Sequence, residues 1–343
     1  MFNIFTTQSI LKQTIASESE KPKKEQSLFF RVLKARKKVF VSTEHSDQQW
    51  QEELHDKYGI IVNVQKSAYI SSLQTYPEKM LENPSSLFVL ELSPAECLAI
   101  EKNYGVLCRS GANINLSLLI DMNDEHTTTE HEPLAKGWAT VFNDVVKLPS
   151  NSLLICDRYL FSFRYAKAGN GFINVKEILT ELLPSELNTD YHVTIVFDPT
   201  AINRSYTFKN IVTELYKLKN FLRKEYPIYL EVLGLCPDHP IYTRLHNRRI
   251  VSNYFIVKAE HKIAAFDKNI GTVSQSITPQ ALFTLDSLNR QSSPPLKSIE
   301  QIVATLKEFS KFLASNYIHS TYIYALEGEI KERCLGFKNR MLK

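Results

Sequence analysis

The chain has 343 residues, 43% of them hydrophobic and 23% charged, enough apolar material for a large core and for two domains. Forty-one Lys and Arg against 37 Asp and Glu give a formal charge of +4, a balance that leaves any nucleic-acid or anionic-membrane contact to local clusters. Cys97, Cys108, Cys156, Cys236 and Cys334 are widely spaced and form no C-x-x-C pair, which speaks against a disulfide framework or a zinc knuckle and fits a reducing cytosol. No signal-peptide pattern opens the chain, and no run approaches the roughly 18 apolar residues of a membrane span. A cytoplasmic protein without a cofactor is the expectation.

In chain order, residues 1–16 form a short amphipathic lead, and the polar stretch Ser17 to Ser27 has the composition of a loop or linker. A first domain, residues 1–149, is expected to mix strands (Lys38–Ser42, Gly59–Val64, Ser86–Glu91) with helices, one starting at the Ser93-Pro94-Ala95-Glu96 pattern. From residue 150 the pattern becomes regular. An apolar run at Leu153–Asp157, a helix at Asn174–Leu183, a strand at His192–Phe197, a helix at Phe208–Glu225 and a strand at Ile228–Gly234 predict a second α/β domain, residues 150–343. The 208–225 helix carries an apolar stripe from Phe208 through Ile211, Val212, Leu215 and Leu218 to Leu222, with lysines largely off it, the pattern of a core stripe with a solvated basic face. A helix at Ser298–Leu313, a strand at Tyr317–Leu326 and a basic tail (Lys331, Arg333, Lys338, Arg340, Lys343) close the chain.

Chemistry concentrates between Leu245 and Val257. Read as one extended run, alternation puts His246 and Arg248 on the same strand face, with Arg249 beside them and Asn253 seven residues beyond His246. This resembles the H-x-K-x4-D signature of the phospholipase D superfamily, with Arg248 in place of lysine and Asn253 in place of aspartate. Asp157-Arg158-Tyr159 at the end of an earlier strand and His246-Asn247-Arg248 later on make residues 150–270 similar to the compact single-copy form in the MIT C-terminal domain family. The resemblance implies a phospholipase D-like mixed sheet with helices on its faces, and a phosphate site built from Arg248, Arg249, Asp157, Arg158 and Tyr159. It also suggests a bacterial defence or mobile-element setting.

In catalytic relatives two such halves meet, one histidine attacking phosphorus and the other protonating the leaving oxygen. His55-Asp56-Lys57 is the other H-x-K here, but Val62 stands where the aspartate belongs and its surroundings look helical. A homodimer could pair two copies of His246. Asn253 removes the charge that would stabilise an imidazolium, and the planar fork of Arg248 suits bidentate binding. Three readings therefore stand: phosphate recognition with nucleic acid as the preferred ligand, a dimeric metal-independent nuclease with His246 and Asn253 as catalytic residues, and a protein-interaction scaffold in which both residues satisfy buried backbone groups. Beside these, Asp121 to Glu132 holds metal-ligand residue types in the composition of a solvated loop, and Arg31 to Lys38 holds cations that a helix face would also expose. Tyr191, Tyr242 and Tyr254 are candidates for base stacking or for core packing, and Gly169-Asn170-Gly171 reads as a turn.

Overall fold

The computed structural model describes residues 2–20, 24–36, 38–43, 48–120, 125–129, 134, 136–162, 168–202, 207–222, 224–235, 248–266, 274–290, 293–315, 322–326, 330–331 and 336–343. The protein is α/β and divides into two compact units: Met1–Met122 with Ala281–Ser298, and Asn123–Gln280 with Ile299–Lys343. The boundary thus falls at Met122, not at 149. Residues 125–148 belong with the second unit because His126–Thr128 pairs with the strand at Gln275–Ala281, and Trp138 Nε1 donates to Asn174 Oδ1 at 2.8 Å.

Unit 1 is a sheet of five parallel strands, β1 (Ile4–Thr7), β2 (Lys38–Thr43), β3 (Ile61–Lys66), β4 (Leu87–Leu90) and β5 (Leu107–Ser110), in the order β3-β2-β1-β4-β5. Helices α1 (Gln8–Glu20), α2 (Lys24–Arg36), α3 (Gln48–Tyr58), α4 (Ser67–Thr75) and α5 (Pro94–Tyr104) make the crossovers. Strand order reverses between β1 and β4, the doubly wound arrangement. All of β4 is buried, as a strand covered on both faces must be, and Phe5 stacks between Phe40 at 4.9 Å and Phe88 at 5.1 Å. Two expectations change here. The lead contributes the central strand, and the polar stretch 17–27 is helical up to Glu20 and again from Lys24. Glu and Lys are good helix formers whatever their polarity. Helix α5 starts as its sequence predicts, with Ser93 N donating to Glu96 Oε2 at 2.8 Å and Glu96 N to Ser93 Oγ at 3.3 Å.

Unit 2 is a nine-stranded mixed sheet. Its elements are β6 (His126–Thr128), α6 (Trp138–Val141), β7 (Ser152–Cys156), α7 (Ala168–Leu182), β8 (Tyr191–Phe197), α8 (Phe208–Leu222), β9 (Ile228–Gly234), β10 (Arg249–Ser252), β11 (Phe255–Ala259), β12 (Gln275–Ala281), α9 (Pro294–Ser315, in this unit from Ile299), β13 (Tyr322–Leu326) and β14 (Ile330–Lys331). The order is β14-β13-β9-β8-β7-β10-β11-β12-β6. Strands β7, β8 and β9 are parallel, β10 is antiparallel to both β7 and β11, and β13 is antiparallel to β9.

Gly169 and Gly171 lie inside α7, not in a turn. A Cβ at Gly171 would meet Phe161 Cδ1 at 2.6 Å and crowd the Leu160 carbonyl, so the helix approaches that loop closely only because a hydrogen stands there. Alternation gives the parallel strands two different faces. Phe197 packs on Phe208 of α8 at 5.3 Å, and Val193 and Ile195 share its apolar face. His192, Thr194 and Glu231 lie on the other face, where Thr194 and Glu231 accept hydrogen bonds from the segment 336–343.

Candidate functional site

The run expected as one strand is a hairpin. Strand β10 ends at Ser252, the chain turns at Asn253-Tyr254, and β11 returns from Phe255. His246 and the rest of 245–247 lie outside the described residues, as do Tyr242, Arg333 and residues 121–124 and 130–132 of the acidic segment. Arg248 leads into β10, and the register sets Arg249 opposite Cys156 on β7 and Lys258 on β11. The carboxyl edge of β7 therefore gathers three cations. Arg248 Nη1 donates to Glu260 O at 3.2 Å, Arg249 Nη1 to Arg248 O at 2.9 Å, and Arg248 Nε is buried without a partner among the described residues.

Burial, and after it the neighbouring Arg248, holds the Arg249 guanidinium below its usual pKa; burial and Arg249 do the same to Lys258. Among the described residues no carboxylate pairs with any of the three. Cations crowded together, partly desolvated and without counter-charge are arranged to attract an anion.

The Asp157-Arg158-Tyr159 element sits at the same edge, and its members divide. Asp157 is 0% exposed, its Oδ1 accepting from Tyr159 N at 2.9 Å and its Oδ2 from Ile263 N at 2.7 Å, so it braces two loops and cannot touch a ligand from solvent. This corrects the expectation for Asp157. Arg158 lies partly exposed with its guanidinium 4.8 Å from the Tyr159 ring and Nε 3.5 Å from Asp198 Oδ2, so its charge is already matched by the carboxylate at the end of β8.

Asn253 is placed elsewhere. It follows β10 whereas Arg248 precedes it, and five residues of extended chain separate them by about 16 Å. At 2% exposure its Oδ1 accepts from Asn151 N at 3.1 Å and Ser152 N at 3.0 Å, while its Nδ2 donates to Asn151 Oδ1 at 3.3 Å. Asn253 thus satisfies buried backbone at the far end of the sheet and stands apart from the cation cluster. Tyr191 and Tyr254 are fully buried and present no stacking face.

The remaining sequence candidates settle as follows. His55 is on exposed helix α3, its Nδ1 3.2 Å from Asp56 Oδ1, not on a strand. Arg36 of the early basic run donates through Nη2 to Phe2 O at 2.6 Å. His126 lies on strand β6, and among the described residues no three His, Cys, Asp or Glu side chains are grouped to hold a metal. Lys258 is the one cluster member the sequence reading missed. A lone lysine in the apolar run Phe255-Ile256-Val257-Lys258-Ala259 was the available signal, but only the hairpin register sets it opposite Arg249.

Fold and site together define a two-unit α/β protein whose second sheet carries a cationic edge that no carboxylate among the described residues pairs. Compared with protein-family models and with curated proteins, the chain matches none. No helix among the described residues is long and apolar enough to cross a membrane.

Proposed function

We propose that unit 2 is a phospholipase D-like domain whose degenerate site binds the phosphates of nucleic acid without cleaving them, in the cytoplasm and as part of a bacterial defence or mobile-element system. The observation that carries the binding reading is the juxtaposition of Arg248, Arg249 and Lys258 with no carboxylate partner among the described residues. Guanidinium forks and an ammonium supply charge-assisted hydrogen bonds to phosphate oxygens, and an anion would relieve the mutual repulsion of the three. The position of Asn253 supports binding over cleavage, because an imidazolium formed at His246 would find no carboxylate from that residue.

Fluorescence anisotropy with single- and double-stranded DNA and RNA tests the proposal. Arg248→Ala should weaken binding by about tenfold, as expected for one charge-assisted contact, with the circular dichroism spectrum unchanged. An unchanged affinity would remove Arg248 from the interface. The same oligonucleotides incubated with wild-type protein should stay intact; cleavage that resists EDTA and is abolished by His246→Ala would establish the dimeric nuclease instead.

A further inference from the structure

On the face of β7, β8 and β9 turned away from α8, the segment 336–343 is pinned across the strands. Asn339 Nδ2 donates to Thr194 Oγ1 at 3.0 Å and to Leu153 O at 3.3 Å, and Asn339 N donates to Glu231 Oε2 at 3.2 Å. Arg340 donates to Asp190 O and, through Nη2, to Thr189 Oγ1 at 2.6 Å. Lys338, Arg340 and Lys343 are thereby brought to the amino ends of β8 and β9, around His192. The imidazole is 4% exposed, its ring centre 5.1 Å from that of Tyr229, and its Nδ1 is buried with no hydrogen-bond partner among the described residues. Lys338 Nζ lies 5.7 Å from the Tyr229 ring centre.

Glu231 and Asp190, the carboxylates named on this face among the described residues, are already engaged. Glu231 accepts from Lys338 N, Asn339 N and Thr194 Oγ1, and Asp190 stands 3.9 Å from Arg340 Nη2. A buried imidazole nitrogen without a partner costs stability, and three nearby cations make an anion the group that would complete the arrangement.

We propose that Lys338, Arg340 and Lys343, laid around His192 and Tyr229, form a second anion site that takes a phosphate group. It lies at the opposite end of the parallel strands from Arg248 and does not depend on that cluster. Burial first, and then Arg340, Lys343 and Lys338, push the His192 imidazole down to about 3. A phosphate bound at those cations offsets their charge, so binding raises the affinity of the buried His192 for a proton.

Isothermal titration of the full chain at about pH 6, near the ordinary histidine value, tests this with inorganic phosphate and, separately, adenosine monophosphate, each in two buffers of different protonation enthalpy. Saturable binding of at least one is expected, with proton uptake that disappears in His192→Phe; the tighter ligand identifies a free or an esterified phosphate as the occupant. Lys343→Glu, at an exposed position that leaves the fold alone, should weaken it by at least about tenfold, while Arg248→Ala/Lys258→Ala should retain it. No saturable binding below about 10 mM, binding that survives both Lys343→Glu and Lys338→Ala, or binding lost only with the Arg248 cluster would each overturn the proposal.

Discussion

Asn253→Ala is expected to cost about 2–5 kcal/mol of stability, because two buried backbone donors, Asn151 N and Ser152 N, lose their acceptor together at a site closed to water. For a unit of this size that corresponds to a fall in thermal midpoint of roughly 4–20 °C. The effect should be large because the amide belongs to a wider buried network in which Ser150 Oγ meets Tyr191 Oη at 2.8 Å and Ser252 Oγ at 2.9 Å, so no water can replace it without disturbing neighbours. Asn253→Asp keeps both accepted bonds but sets an oxygen against Asn151 Oδ1, which now accepts from Nδ2. That variant should fold with an intermediate loss and gain no phosphodiesterase activity, since the new carboxylate would stand at the wrong end of β10. Differential scanning calorimetry of the three proteins decides it. An Asn253→Ala midpoint within about 1 °C of wild type, well below the cost of one orphaned donor, would contradict the structural role assigned to Asn253.

The second large effect is a dependence of stability on pH that passes through His192. Its pKa is pushed down to about 3 in the folded protein by burial and by Arg340, Lys343 and Lys338, against about 6.5 in an unfolded chain. Between those values the unfolded state holds the extra proton, so this contribution is fully present above pH 6.5 and is lost as the pH falls toward 3. About 2 kcal/mol should go between pH 6.5 and 4.5. Glu231 works the other way: burial raises its pKa, so it favours the folded state at low pH and that contribution fades as the pH rises through the raised value. Comparing wild type with His192→Phe, which keeps an aromatic ring beside Tyr229 and cannot titrate, isolates the histidine. Urea midpoints in phosphate-free buffer at pH 7 and 4.5 should converge in the variant and diverge in the wild type. Equal pH dependence in the two proteins would show that His192 titrates normally.

The sequence made unit 2 legible where periodicity was strong. Alternation of apolar strands with the 3.6-residue stripe of α8 located β7, β8 and β9 within a residue or two, because β7 carries the apolar run Leu153-Leu154-Ile155 and β8 and β9 are rich in β-branched and other apolar residues despite His192, Thr194 and Glu231. Unit 1 was less legible. Strand β1 is four residues long and flanked by polar positions, too short for any period to show, yet it is the centre of its sheet.

The hairpin is the more instructive miss. Leu245 to Val257 is apolar enough to pass for one strand, and nothing in Ser252-Asn253-Tyr254 announces a turn as Asn-Gly would. That turn sends Asn253 to the far end of the sheet, away from Arg248, and delivers Lys258 to Arg249 in its place. Charge on a strand can be counted from sequence; what faces it across the ladder depends on register, which composition does not carry.

The claim that the edge at Arg248, Arg249 and Lys258 grips nucleic-acid phosphates is tested most directly by the salt dependence of binding. Each phosphate neutralised releases condensed counterions, so the slope of log K against log salt counts the contacts. Wild-type protein and Arg248→Ala/Lys258→Ala should be titrated with one single-stranded and one duplex oligonucleotide across a range of salt concentrations. The double variant is expected to bind about a hundredfold more weakly at low salt and to show a slope reduced by about 2, one for each lost cation. Identical slopes and affinities in the two proteins would contradict the claim.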